Sequence, residues 1–392
     1  MGRVRLIAIV MVLSMVPAVS FSMPVARGIV YEKYREEFSN GPSDIHVLRV
    51  DPNLTDVDVI QARIGPPKRN VLVKIIDTIF FFLRPQPEYT EAFGVRSTSQ
   101  LVEEGRAVAG VNGTYFASDA APLGLLAMER EIVSYPLHDR PALLIGKNEV
   151  YVGHFFVIGK CIIRGNQYDI SEVNQQRTPG QIVLFTPRYG DRTRTVGRGL
   201  EVIVRKGVVT KQRYANSPIP KNGFVLSTRG DLGQELAPLT IPGTRVEINF
   251  ELRSFQPGMR GSFLHAVGGG PELLRAGKKY VTKHEERFRR DISEGHAART
   301  AAGITPTGEL LLVVVDGKKR KGGSDHPNNG STLEELADFL LRLGAEDALN
   351  MDGGGSSTMV VRNKVVNNPV EGEERPVSNA IVIRSRPTLA EE

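Results

Sequence analysis

The sequence predicts an α/β (α+β) fold, with a mixed β-sheet core, a C-terminal strand-helix-strand unit and a β-rich middle region. Three features point there. "GELLLVVVD", Gly308 to Asp316, is an uninterrupted apolar run of strand length, the pattern of a strand buried on both faces. "STLEELADFLLRLGA", Ser331 to Ala345, then places Leu333, Leu336, Ala337, Leu340 and Leu341 on one helical face. Finally, residues 123–253 read as short apolar or alternating runs parted by Gly, Pro and Asn, which spells strands with few helices.

Taken in order, the chain opens on a basic stretch, "MGRVR", and a short apolar one, "LIAIVMVLSMVPAV", followed by small residues. That pattern is a secretory signal over residues 1–22, with cleavage expected near residues 20–23, and it implies a secreted, periplasmic or cell-envelope location. An uncleaved anchor is the weaker reading, because Pro17 breaks the run before it could comfortably span a bilayer. Only one cysteine exists, Cys161, so no intrachain disulfide can form and stability must come from the core. Its setting, "FFVIGKCIIRG", is that of a buried thiol rather than a nucleophile.

Residues 23–88 form an N-terminal β element, in which "IHVLRVDP" and "DVDVIQARI" read as strands across a turn. The same unit holds an apolar insertion, "VLVKIIDTIFFFL" (71–83), too short to span a membrane. Burial is the favoured reading of that insertion, and peripheral membrane contact is the other. Residues 89–386 then make one domain, within which 260–386 carries the motifs. Ser97 or Ser99 can cap a short helix, and "AVAGV" is a strand that delivers Asn112 to a loop. Ser331 and Glu334 supply a capping box for the later helix, Gly344 stops it, and "EDALNMD" is a strand ending at Asp352.

If the two strands flanking that helix share a sheet they run parallel, and Asp316 and Asp352 arrive at the same rim, where open α/β sheets place ligands. Two carboxylates there can act as acid and base when their environments separate their pKa values, or can hold a divalent cation. A strand-ending Asp more often only caps a turn; the recurring Asp-Gly pair, "VVVDGKK" and "NMDGGGSS", weighs modestly against that. The glycines Gly353, Gly354 and Gly355 free main-chain N–H groups for an anion, and Ser356 adds a hydroxyl donor. Arg299 offers a forked partner for phosphate or carboxylate, although a lone Arg is more often a structural ion pair. The loop after Asp316 is strongly basic, and a solvated charge run is its default reading.

Fifty Lys plus Arg against 44 Asp plus Glu give a net charge of +6, suited to an anionic ligand and too mild to argue for nucleic acid. Neither G-x-S-x-G nor H-E-x-x-H occurs, which removes the common nucleophile-elbow and zinc signatures.

Five segments, "GVNGTYF", "GGGPELL", "RTAAGITPTGELLLVVVDG", the block from Ser331 to Val360 and "NNPVEGEERPVSNAIVI", occur in the order of one known family. Over about Tyr89 to Ile383 the chain resembles the phosphodiester glycosidase family. That resemblance implies hydrolysis of the bond between a sugar's anomeric carbon and a phosphodiester, in cell-envelope or exopolysaccharide metabolism. It maps Asp316, Asp352 and Arg299 onto motif positions around the family's pocket, and their chemistry suggests catalytic roles for these three. Substrate contacts fall to Asn112, Gly269, Gly270, Gly353, Gly354, Gly355, Ser356, Asn368, Arg375 and Asn379. The implied partner is a sugar phosphodiester or an anionic glycan, no cofactor is certain, and a divalent cation is possible. A non-catalytic envelope module that binds anionic glycan is the alternative.

Overall fold

The computed structural model describes residues 17–63, 93–255, 263–318 and 329–387. The expected apolar insertion at 71–83 and most of the basic loop after Asp316 lie outside them, as does the signal sequence up to residue 16. Among the described residues strands dominate, twenty-five against four α-helices, in several sheets whose neighbours are almost all antiparallel. The expectation of a balanced α/β fold is therefore corrected to a β-rich one.

The largest sheet has eight strands. Across it run Val19–Ala26, Ile29–Phe38, Gly41–Val50, Leu310–Val315, Arg299–Ile304, Asp347–Asn350, Glu272–Arg275 and Lys278–Lys279, every neighbour antiparallel. Its first strand spans the expected cleavage region and pairs antiparallel with the second, with register shifts between Val19 and Phe21 and between Pro24 and Ala26.

The apolar run is buried on both faces, as its composition requires, without a parallel sheet. Leu310, Leu312 and Val314 pack into a core shared with Val59, Val111, Met359 and Ile381 of a five-stranded sheet. Leu311, Val313 and Val315 face the other way, onto Leu333, Leu336, Phe339 and Leu340 of the helix Leu333–Arg342. The layers are helix, sheet and sheet. A wholly apolar strand cannot distinguish this arrangement from a parallel one, because both hide its two faces from water.

The strand-helix-strand unit exists with a strand inserted. Leu310–Val315 and Asp347–Asn350 both pair antiparallel to Arg299–Ile304, which lies between them, so the two run in the same direction without touching. Their C-terminal ends meet the N-terminal end of the middle strand at one edge. Asp316, Arg299 and Asp352 are thus delivered to a single rim by three adjacent strands.

The five-stranded sheet, Lys364–Val365, Met359–Val361, Ala109–Asn112, Asn379–Ser385 and Thr55–Gln61, packs beneath that rim. The two expected N-terminal strands are consequently split between sheets, Gly41–Val50 in the larger and Thr55–Gln61 in the smaller. The middle region is β-rich as expected, with a seven-stranded sheet and a separate five-stranded one. Cys161 is fully buried on its long strand Val150–Ile163, and burial raises its thiol to about 12, which fits an inert core residue. Among the described residues no helix is long and apolar enough to cross a membrane.

The later helix begins one residue beyond expectation. Thr332 is the cap, accepting from Glu335 N at 3.1 Å, while the Glu335 carboxylate accepts from Thr332 N at 2.9 Å; Ser331 and Glu334 do not form the box. Ser97 caps Thr98–Glu104 in the same way, with Gln100. Replacing Thr332→Ala should lower unfolding free energy by about 1 kcal/mol, with Thr332→Ser close to wild type. Chemical denaturation measures this, and equal loss from Ser331→Ala with none from Thr332→Ala would contradict the assigned cap.

Candidate active site at the sheet rim

A cleft of about 460 Å³ opens at the rim. Its lining includes Arg299, Asp352, Gly353, Gly354, Gly355 and Arg375 from the residues expected by sequence. Tyr115, Asn350, Lys318, Glu371 and Asp291 join them and were not expected as site residues.

Asp352 follows the strand Asp347–Asn350 and lines this cleft. Burial pushes its carboxyl up to about 6, while the Ser356 hydroxyl, the Arg375 charge and the Gly353 N–H pull it back. Its own carbonyl accepts from Asn112 Nδ2 at 2.7 Å. Asp352 is therefore fixed by its main chain, and its carboxyl can exchange a proton near neutrality.

The glycine turn works differently from the expected anion cradle. The Gly354 N–H donates to Ala298 O at 2.8 Å, Ser356 N to Gly353 O and Ser357 N to Gly354 O, both at 3.2 Å, and Gly353 N–H serves Asp352. These donors turn inward. What the glycines permit is close approach, since a Cβ on Gly355 would overlap the Arg375 guanidinium and one on Gly353 would meet Ala298 O at 3.0 Å. Gly354, with φ of +62°, takes the left-handed conformation that turns the chain.

The two arginines divide the work. Arg299 is buried, and its guanidinium donates to three main-chain carbonyls, Ser331 O at 3.1 Å, Ile292 O at 2.7 Å and Gly295 O at 2.8 Å. It thereby holds the 292–298 wall against the sheet while placing its charge at the cleft. Arg375 is the exposed cation, 42% accessible, and pairs with Glu371 at 3.1 Å.

Asp316 reaches the rim but not the cleft lining. Its carboxylate, 2% exposed, accepts from Asn368 N at 3.0 Å and Asn367 Nδ2 at 3.3 Å, and faces His46 Nε2 at 3.4 Å. His46 in turn bonds Tyr31 through Nδ1 at 2.7 Å. This buried chain moors the 366–370 loop. His46 could have been found from "IHVLRV", where a histidine interrupts an apolar strand.

The remaining expected contacts also build the site from behind. Asn112 Oδ1 accepts from Thr300 Oγ1 at 2.8 Å and Thr358 N at 3.2 Å, and Asn379 Oδ1 accepts from Thr114 N at 3.0 Å. Asn368 contributes its main-chain N–H to Asp316, and its side chain is exposed. Gly269 and Gly270 lie behind the wall, where a Cβ would strike Leu349 or Glu286. Gly270 O accepts from Tyr115 Oη at 3.0 Å.

Tyr115 and Asn350 are linked across the cleft floor, Asn350 Nδ2 donating to Tyr115 Oη at 2.8 Å. Burial and the Asp352 charge raise the Tyr115 hydroxyl, so it stays protonated. Asn350 Oδ1 is buried without a hydrogen-bond partner among the described residues. It lies two residues before Asp352, and a buried unsatisfied polar atom beside a cleft is what a polar ligand would complete. Among the described residues no group of three His, Cys, Asp or Glu side chains converges as a metal-holding set.

Residues 198–384 match the family model described as phosphodiester glycosidase, which shows the resemblance read from the motifs. N-acetylglucosamine-1-phosphodiester alpha-N-acetylglucosaminidase of Bos taurus is 30% identical over 116 residues, 27% of this chain and 21% of that protein. The chain thus matches about a fifth of that relative's length. A hypothetical protein from Synechocystis superposes with a TM-score of 0.74 at 21% identity, covering 94% of this chain and 64% of that one. A protein described as exported, from Burkholderia pseudomallei K96243, gives 0.66 at 22% identity, over 88% and 74%. At these identities the two structures establish the fold alone.

Gly355→Ala should displace the Arg375 guanidinium from the turn without unfolding the protein. A crystal structure of the variant checks it; an unmoved Arg375 would show that the glycine serves another purpose.

Proposed function

We propose that this chain, whose residues 198–384 match the phosphodiester glycosidases, hydrolyses the glycosidic bond of a sugar-1-phosphodiester. The observation that carries the reading is Asp352, a carboxyl raised to about 6 in the lining of a cleft that also holds Arg375, Arg299 and Lys318. A phosphodiester is a good leaving group and needs charge stabilisation more than protonation. Arg375 would exchange its exposed Glu371 partner for the phosphate, with the buried Arg299 charge adding to the field. Asp352, ionised, would take a proton from water as the water oxygen bonds to the anomeric carbon. The bond from that carbon to the phosphate oxygen breaks, and the phosphate monoester leaves with the electron pair.

Asp316 fits a positioning role through the 366–370 loop, since its carboxylate is engaged by Asn367, Asn368 and His46. A second carboxylate acting in the cleft would come from Glu371 or Asp291, which do line it. The basic-then-apolar N-terminus supports an exported setting, with envelope or exopolysaccharide material as substrate.

Turnover of a panel of sugar-1-phosphodiesters, N-acetylglucosamine-1-phosphodiesters included, in ¹⁸O-labelled water tests the reaction. Label in the sugar hydroxyl supports it, and label in the phosphate would replace it with attack at phosphorus. Asp352→Asn should lower kcat by about 10²–10⁴-fold, the range of a lost general base. For the wild type, kcat/KM should rise with pH through about 6 and then level, a step absent from the variant.

The same carboxyl affects stability with a definite sign. Its folded value, about 6, exceeds the ordinary 3.8, so its contribution is full below 3.8 and is lost as pH rises through about 6. Asp352→Asn should therefore raise Tm above pH 6, whereas Asp316→Asn should lower it. Calorimetry that found the opposite order would exchange the two roles.

A further inference from the structure

A second cavity, of about 630 Å³, lies on the separate five-stranded sheet of the middle region and shares no lining residue with the cleft. Three arginines line it, Arg198, Arg213 and Arg229, with Tyr214 and Gln234. They come from one end of the sheet. Arg198 precedes the strand Leu200–Arg205, Arg213 ends Val208–Arg213, and Arg229 follows Gly223–Thr228; Glu201 pairs with Arg213 and Leu200 with Thr228 in the antiparallel register.

The local charge is extreme for this chain. Residues 191–235 contain nine Lys and Arg against four acids, Asp191, Glu201, Asp231 and Glu235, a net of +5 within a protein whose total is +6, and no acid lines the cavity. Glu201 cannot neutralise the surface, because it is fully buried on Arg177, Thr193, Thr195 and Ser217. Arg198, Arg213 and Arg229 are all exposed and form no ion pair among the described residues. Arg229 is close enough to the buried Arg177 to oppose its charge. Like charges gathered without a carboxylate repel, and an anionic ligand relieves that repulsion.

The floor is rigid. Arg177, 6% exposed, donates to Gly197 O at 2.6 Å and Tyr214 O at 3.1 Å, and to Ser227 Oγ at 3.0 Å, so one buried guanidinium fixes the segments that carry Arg198, Tyr214 and Arg229. Tyr214 is 68% exposed, with the Arg198 guanidinium 5.3 Å from its ring centroid. An exposed aromatic face beside arginine forks and the Gln234 amide suits a ligand with both a sugar-like surface and a phosphate.

We propose that this cavity is a binding site for an anionic, phosphate-bearing glycan, distinct from the cleft, that retains a polymeric substrate on the protein. The choice of glycan over other polyanions rests on the hydrolase reading, whereas the anion site itself rests on Arg198, Arg213 and Arg229. The concave cavity with a single aromatic favours a sugar phosphate over single-stranded nucleic acid, which binds along extended grooves with several stacking rings.

Binding of a poly(N-acetylglucosamine 1-phosphate) polymer to full-length protein carrying Asp352→Asn, which leaves the polymer intact, tests the site. Arg198→Ala/Arg213→Ala/Arg229→Ala should weaken it at least about tenfold. It should also reduce the salt slope by about 2, at about 0.7 per contact for a flexible polyanion. Added to the wild-type background, the same triple change should leave turnover of a small soluble sugar-1-phosphodiester unaltered. Undiminished polymer binding by the triple variant would overturn the proposal, as would tighter binding of a length-matched dT oligonucleotide or of phosphatidylglycerol vesicles. Absence of turnover alongside arginine-dependent polymer binding would instead remove the hydrolase reading and leave the site standing.

Discussion

One buried amide holds the rim together. Asn112 belongs to the five-stranded sheet, yet its side chain donates to the carbonyl of Asp352 and accepts from Thr300, both on the larger sheet, as well as from Thr358 on its own. A buried amide must satisfy its donors and acceptor, so these partners have to meet at one point. The consequence is geometric: the two sheets cannot slide past one another at this edge without breaking the bond that sets the main chain of Asp352. The cleft inherits its shape from that knot.

Around it, buried polar residues set positions and exposed ones are left to meet solvent or substrate. Arg299, Asp316, Asn112 and Asn379 are each nearly inaccessible and bonded to main chain. Arg375 and Glu371 have exposed side chains that pair with each other, with Arg375 also acting on the Asp352 charge. Desolvating a charge is expensive unless it is hydrogen-bonded, and the three carbonyls on Arg299 supply that compensation while leaving its positive field at the cleft. Asp352 is the exception, a partly accessible residue whose carboxyl is destabilised as an anion.

Much of this was legible in the sequence, and the failures have physical causes. The Asp-Gly pairs and the glycine turn stand out because they recur at the ends of two strands flanking one helix, and with Arg299 they do gather at one rim. The fold class was misjudged because Leu310–Val315 reads identically whether its faces meet helices or another sheet. Its true neighbour, Gly41–Val50, lies far away in sequence, where no local pattern reveals pairing. The glycine turn was read for its donors, but hydrogen-bond direction depends on Ala298, which arrives from another strand. Asp316 and Asp352 share a motif and differ in setting because one is engaged by His46, Asn367 and Asn368 while the other lines the cleft beside Ser356 and Arg375. Ser331 and Thr332 are equally good caps on paper, and one residue of helical phase chose between them.

The insertion of Arg299–Ile304 between the two strands that end at Asp316 and Asp352 has an evolutionary corollary. Asp352 and its moorings sit on the sheet edge, whereas much of the cleft wall, residues 291–298 and 370–375, is carried by connecting segments. Such segments accept insertions and substitutions more readily than strands buried on both faces. The shape of the wall can then drift while the hydrogen-bonded rim stays fixed, which makes the scaffold suited to diversification of whatever the cleft accepts.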